Sequence, residues 1–381
     1  MFISDHHHPQ LLPAETYSCL DRYELEFERL FATGWHAVGT VADIPSKGDY
    51  FTLRLGNHPI IVRNFGTEVH AFLNVCSHRY CEISSEKSGH SDTFKCQYHG
   101  WEYGVDGNTC KIPDAPSFKP LKLGMLGLTR YRTATCGQLI FISLAENGPS
   151  LREQLGSSYA TYESLFGNEF EQILSVDMEC EANWKIGVEN GLESYHVDCV
   201  HAGTFGKTPA AEDCHHEMAD SYTIFRTPSS VPGTWSHRLE NIIARGRGQQ
   251  ATHEYMNLRT YPSMTCSSTD TVTFIQSILP LGPARSVCVY RLFAPQLRTK
   301  AWTDRIIAWW TRPQLKKYWQ AVFDEDQAIL PKIQQGISAP SMPNGGVVSV
   351  REERIFHFQD YVVKACEIAA ADGSKRIVTQ E

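Results

Sequence analysis

At 381 residues the chain is long enough for two hydrophobic cores and too long for one ordinary compact domain. Its 42% hydrophobic and 20% charged residues are a globular balance that excludes wholesale disorder, and a net charge of −8 leaves no basic footprint for nucleic acid. The start, MFISDHHHPQLLP, lacks the basic residues and apolar run of a secretory leader, and no stretch approaches the roughly 18–20 apolar residues of a membrane span.

A soluble, cytoplasmic protein with no nucleic-acid or membrane partner is therefore expected. Twelve scattered cysteines fit free thiols in a reducing compartment better than a disulfide framework. The triplet His6-His7-His8 reads as part of a solvated terminus rather than as a metal site. From Ser18 to Phe31, SCLDRYELEFERLF has apolar residues near helical spacing, with Gly34 as a stop. Residues 1–34 are read as a helical segment that packs on the later domain.

Between 35 and 148 the texture changes. Short runs rich in β-branched and aromatic residues, YFTLRLGNHPIIVRNFG, TFKCQYHGWEYGVDGN and GQLIFISL, are cut by turn signals. They predict a small antiparallel β domain. The polar AENGPSLREQLGSS then marks a boundary near 145–158, and residues 149–381 form a second domain. It holds a helical region around 181–200, strands in DTVTFIQSILPL and SVCVYRLFAP, and long helical patterns across 301–335 and 350–370. Strands followed by helices predict an α+β domain with an antiparallel sheet.

The β domain carries two Cys-His pairs: Cys76-x-His78 and, 17 residues after His78, Cys96-x-x-His99. Zinc fingers pair like with like, as C-x(2–4)-C and H-x(3–5)-H. Here each loop supplies one thiolate and one imidazole. A [2Fe–2S] cluster with two thiolates on one iron and two imidazoles on the other asks for this arrangement. Gly100 permits close backbone approach. In the second domain, His196 and His201 lie about 140° apart on an ideal helix, so they converge on one metal only if the helix ends or distorts between them. Alone, such a pair is weak evidence. Val322, Asp326, Ile329 and Ile333 follow i, i+4, i+7, i+11, which puts Asp326 on an apolar helix face while Asp324 points elsewhere. A carboxylate facing a core is costly unless paired or metal-bound. Pro331 is expected to kink this helix around 327–330.

NVCSHR…CQYHGWEYGVDGN closely resembles the signature of the Rieske non-heme iron oxygenases, and the resemblance covers nearly the whole chain. NWKIGVENGLESYHVDCVH resembles the family's N-W-K…E-N…E-x-Y-H-x4-H motif, and the stretch around Asp326 its E-D-x2-I…Q-x-G element. The resemblance implies an α (catalytic) subunit of the ring-hydroxylating kind, with an antiparallel β Rieske domain and a helix-grip catalytic domain. It implies a Rieske [2Fe–2S] cluster on Cys76, His78, Cys96 and His99, and a mononuclear Fe(II) on His196, His201 and Asp326. An acidic residue near His196, Glu193 at −3 or Asp198 at +2, would connect the two kinds of metal centre. Family members are usually trimers or multiples, the cluster of one subunit serving the iron of the next. No G-x-G-x-x-G fingerprint or flavin site is evident, so a separate NAD(P)H-dependent reductase, and a ferredoxin in some systems, would supply electrons for O2.

Cys81 stands where respiratory Rieske proteins place half of a disulfide, but the partner position is Tyr98, so Cys81 is expected to be a small buried residue and the cluster of the low-potential kind. Tyr80-Cys81 departs from the small Gly common after C-x-H-R in the family. His215-His216 read as solvated loop residues. Trp302, Trp309, Trp310 and Trp319 are better suited to core or subunit packing than to a cationic-substrate cage. Substrate stays open between a small aromatic compound, which would want a pocket Arg or Lys, and a quaternary amine, which would want aromatics and carboxylates. A rival of another class is a non-enzymatic electron carrier whose second domain has lost iron.

Overall fold

The computed structural model describes residues 2–205, 207–298, 302–341, 343 and 345–368. They fall into two compact units, Phe31–Tyr159 and Met1–Leu30 with Ala160–Glu381. The chain opens with a two-residue strand, β1 (His8–Pro9), and helix α1 (Leu20–Glu26), which widens into a π-helical turn at Phe27–Phe31.

The unit from Phe31 contains β2 (Trp35–Thr40), β3 (Asp49–Leu55), β4 (His58–Asn64), β5 (Val69–Leu73), β6 (Ser88–His90), β7 (Phe94–Lys95), β8 (Glu102–Tyr103), β9 (Thr109–Lys111), β10 (Arg130–Cys136) and β11 (Leu139–Ser143). A seven-stranded antiparallel sheet has the order β2-β11-β10-β5-β4-β3-β6, and a small sheet the order β7-β8-β9. In β4, Ile60, Ile61 and Val62 are all buried, because the sheet is covered on both sides there. The first Cys-His loop leaves the large sheet after β5, and the second joins β7 to β8. Helices α2 (Leu151–Leu155) and α3 (Tyr159–Leu165) follow.

The other unit is built on β12 (Phe170–Cys180), β13 (His215–Ala219), β14 (Tyr222–Pro228), β15 (Glu254–Thr260), β16 (Met264–Ser268), β17 (Thr273–Gly282) and β18 (Arg285–Pro295). They form an antiparallel sheet in the order β12-β18-β17-β16-β15-β14-β13. Helices α4 (Trp184–Asn190) and α5 (Val197–Val200) lie between β12 and β13, and α6 (Trp235–Arg247) between β14 and β15. The long α7 (Trp302–Ile337) packs on α4 and the sheet, and β19 (Val347–Val348), paired with β1, precedes α8 (Glu353–Cys366). No helix among the described residues is long and apolar enough to cross a membrane.

Asn183-Trp184-Lys185 fastens the N-terminal segment. Asn183 caps α4 by accepting from the Lys185 amide, Trp184 Nε1 donates to Glu26 Oε2 at 2.8 Å, and Lys185 Nζ meets Glu26 at 2.7 Å with both side chains fully buried. The region expected to be helical over 181–200 is two short helices separated at Gly191. Helix α7 runs on through Pro331 to Ile337. Its buried line is Trp319, Val322, Phe323, Leu330 and Gln334, and Asp326 lies within that arc. Ile333 is 42% exposed, because the buried face is centred toward Trp319 and Phe323 rather than on the line through Ile329. Asp324 is exposed, as its position on the helix requires.

Two candidate metal centres

The two Cys-His loops share one backbone plan. The Cys76 amide donates to Cys81 O and the Tyr80 amide to Cys76 O; equally, the Cys96 amide donates to Trp101 O and the Gly100 amide to Cys96 O. Tyr80 is thus the counterpart of Gly100, with φ of +61° against +74°. This left-handed geometry is why glycine is favoured there, and Tyr80 adopts it with its ring 81% exposed. Cys81, the counterpart of Trp101, is a free thiol and only half-buried rather than buried as expected, because it packs beside the loop core and not within it.

Both loop thiols are buried, at 2% exposure, while His78 is half-buried and His99 exposed. The imidazole rings lie 4.8 Å apart, and His78 stacks on Trp101 at 4.7 Å with Phe118 across its edge. Burial pushes the Cys76 thiol up, and the Tyr103 hydroxyl lies 2.9 Å from its sulfur. A buried pair of sulfurs and an outward pair of imidazoles is a donor set that fits a cluster with unlike irons, its histidine side facing out.

In the other unit the histidine pair converges because the helix is almost absent. His196 is the N-cap and His201 the C-cap of the four-residue α5, and their rings lie 5.1 Å apart. Asp326 from α7 brings Oδ1 to 3.1 Å from His201 Nε2 and 3.8 Å from His196 Nε2. The Nδ1 atoms are held from behind: His196 by Glu193, His201 by Glu325 at 2.8 Å. Both Nε2 atoms are left to face Asp326. Asn190 Nδ2 donates to Asp326 Oδ1 at 2.8 Å and fixes the carboxylate. Burial works against charge on His201, but Asp326 and Glu325 outweigh it and hold the imidazole above its ordinary pKa. The group is arranged to receive a cation, and two imidazoles with one carboxylate suit a non-heme Fe(II) site with open positions.

Residues 34–128 match the model of the Rieske [2Fe–2S] domain, and residues 168–368 that of the ring hydroxylating alpha subunit (catalytic domain). This chain belongs to the Rieske non-heme iron oxygenases. It is 31% identical to the chloroplastic choline monooxygenase of Beta vulgaris over 362 residues, 91% of this chain and 75% of that protein. Against the glycine betaine monooxygenase oxygenase subunit of Chromohalobacter salexigens identity is 24%, over 92% and 84% of the two chains. A solved structure of a quaternary ammonium Rieske monooxygenase, described with inter-subunit electron transfer and carnitine oxidation, has a TM-score of 0.76 at 18% identity, over 94% of this chain and 95% of that one. The oxygenase α subunit therefore carries a Rieske [2Fe–2S] cluster and a mononuclear iron, and inserts oxygen from O2 into a small organic substrate.

Of the two candidate acids near His196, Glu193 touches that imidazole, whereas the exposed Asp198 accepts from the Thr208 amide. Glu325 and Asn190 lie inside the family-like motifs, as the Glu of E-D-x2-I and the Asn of E-N, but their contacts with His201 and Asp326 could not be read from the sequence. His216 is not solvated as expected. Its side chain is buried against Glu353 at 2.8 Å, and burial pushes its pKa down to about 4. Trp319 is buried against Phe205, Phe274 and Phe323, while Trp302, Trp309 and Trp310 are exposed and form no part of the core.

Proposed function

We propose that this α subunit is a monooxygenase of a small quaternary or N-methylated amine, with iron held by His196, His201 and Asp326 and the cluster by Cys76, His78, Cys96 and His99. The carrying observation is the aromatic wall beside the triad. Phe205 stands 5.2 Å from the His201 ring, and Trp319 packs at 5.9 Å from Phe205 and 5.0 Å from Phe274. Aromatic faces attract a quaternary ammonium group, which no hydrogen bond can grip. The choline and glycine betaine relatives support the same substrate class.

When bound, the cluster supplies one-electron transfer and the iron supplies activation of O2. The chain's own residues do the rest. Asn190 and Glu325 hold the ligand side chains in place, and Phe205 and Trp319 exclude water and orient the N-methyl groups. Glu193 fixes the proton on His196 Nδ1, leaving Nε2 for metal, and is the carboxylate through which the neighbouring subunit's cluster communicates in a homotrimer or a multiple of it. A separate NAD(P)H reductase, alone or through a ferredoxin, delivers the electrons.

A screen of amines and aromatic acids with a generic reductase, matching O2 uptake to product, tests the reading. Turnover of choline- or betaine-type substrates is expected; turnover of aromatic acids alone overturns it. Iron analysis excludes the simple electron carrier if it finds about three irons per chain rather than about two.

A further inference from the structure

Arg259, on β15, is fully buried, and Nε, Nη1 and Nη2 all lack a hydrogen-bond partner among the described residues. No carboxylate among the described residues pairs with it. A guanidinium carries five N–H donors and stays charged, so leaving it dry and unpaired is among the costliest arrangements a core can hold. Burial pulls its pKa down, to about 10, against the opposing pull of nearby tyrosine hydroxyls, and a second buried cation, Arg354, lies close enough to feel its charge.

Its position says what the missing partner is. Strand register puts Thr223, Arg259, Thr265, Gln276 and Tyr290 in one row across β14, β15, β16, β17 and β18, on the same face of the sheet. That face is the one α7 covers, because Tyr290 stacks on Phe323 at 4.1 Å and its hydroxyl accepts from Gln327, the neighbour of Asp326. Thr265 Oγ1 and Gln327 Oε1 are also buried without partners. At the other side, Arg259 Nη2 fills the space where a Cβ on Gly191 would sit, 2.1 Å from that point, and Gly191 follows the Asn190 that holds Asp326. The unpaired cation therefore lies directly beneath the segment that carries the metal ligands.

We propose that Arg259 receives a carboxylate of the substrate, so that among quaternary amines this enzyme takes one that also bears an acid group. The inference rests on the quaternary-amine reading and sharpens it. A betaine places its ammonium end against Phe205 and Trp319 and its carboxylate on the guanidinium fork, and each charge is met by its own partner. Choline would bring a second cation toward an unneutralised one.

The test is isothermal titration calorimetry on the holoenzyme with glycine betaine, choline and benzoate, for the wild type and for Arg259→Gln and Arg259→Lys. The wild type is expected to bind glycine betaine at least tenfold tighter than choline. Arg259→Gln should weaken glycine betaine at least tenfold and move choline by less than threefold, with Arg259→Lys between, since it keeps the charge and loses the fork. Glycine betaine bound equally by wild type and Arg259→Gln, with cluster absorbance intact, overturns the proposal. So does a wild type that prefers choline, a comparison that decides the matter even if the variants fail to fold. Benzoate bound through Arg259 with neither amine bound would overturn the quaternary-amine reading while supporting the anion receptor.

Discussion

Removing Glu325 should loosen the mononuclear iron without touching the cluster. Its Oε2 accepts from His201 Nδ1 at 2.8 Å and from Thr204 Oγ1 at 2.7 Å, so one oxygen fixes the imidazole's tautomer and is itself oriented. Loss of such a partner behind a metal-binding histidine costs about 10–100-fold in metal affinity, or about 1.4–2.8 kcal/mol. Glu325→Ala should fall in that range. Glu325→Gln keeps an acceptor and loses only charge, so about three- to tenfold is expected. The assay removes the mononuclear iron by mild chelation and titrates Fe(II) back anaerobically against a competing chelator, with visible cluster absorbance as internal control. Asp324→Ala, one residue away but exposed, should leave affinity unchanged. An Fe(II) affinity for Glu325→Ala within twofold of wild type would refute the argument that this carboxylate positions His201.

Other consequences are as specific. Tyr80→Gly relieves a left-handed tyrosine at φ +61° and should stabilise the holoprotein by about 0.5–1 kcal/mol, read as a higher urea midpoint for loss of cluster absorbance. Tyr103→Phe removes the hydroxyl that hydrogen-bonds Cys76 Sγ and should lower the cluster's reduction potential by about 40 mV, the equivalent of about 1 kcal/mol in a one-electron couple; an unchanged potential would refute the bond's role. Glu26→Ala strands the buried Lys185 ammonium and should cost about 3–5 kcal/mol in denaturant unfolding. His36 is fully buried, and desolvation lowers its pKa to about 4. Between pH 6.5 and about 4 the unfolded chain binds a proton that the folded chain refuses, so stability falls as pH falls, by about 3 kcal/mol across that window. A His36→Phe variant should lose that part of the acid sensitivity in paired unfolding curves at pH 7 and pH 5.

What could be read from the chain and what could not divide along a physical line. The proposed cluster ligands are local: each Cys-His pair fits in one loop, so spacing alone points to them. Asp326 is legible because a single helix period isolates it. Glu325, Lys185 with Glu26, and Arg259 draw their meaning from partners more than a hundred residues away or from a sheet face that no local pattern assigns. Strand EYMNLRT shows why. Alternation assigns Met256 and Leu258 to the core and Tyr255, Asn257 and Arg259 to water. In the structure Met256, Asn257, Leu258 and Arg259 are all buried, and on the polar face Arg354 of α8 reaches Asn257 and Thr223. A sheet that buries its polar face accepts a desolvation cost that an apolar strand would avoid. Asn257 recovers that cost through Arg354 and Ser267, and Tyr255 through Ser267. Arg259 recovers nothing from the other described residues. The local rule therefore fails most sharply at the residue whose partner the substrate has to bring.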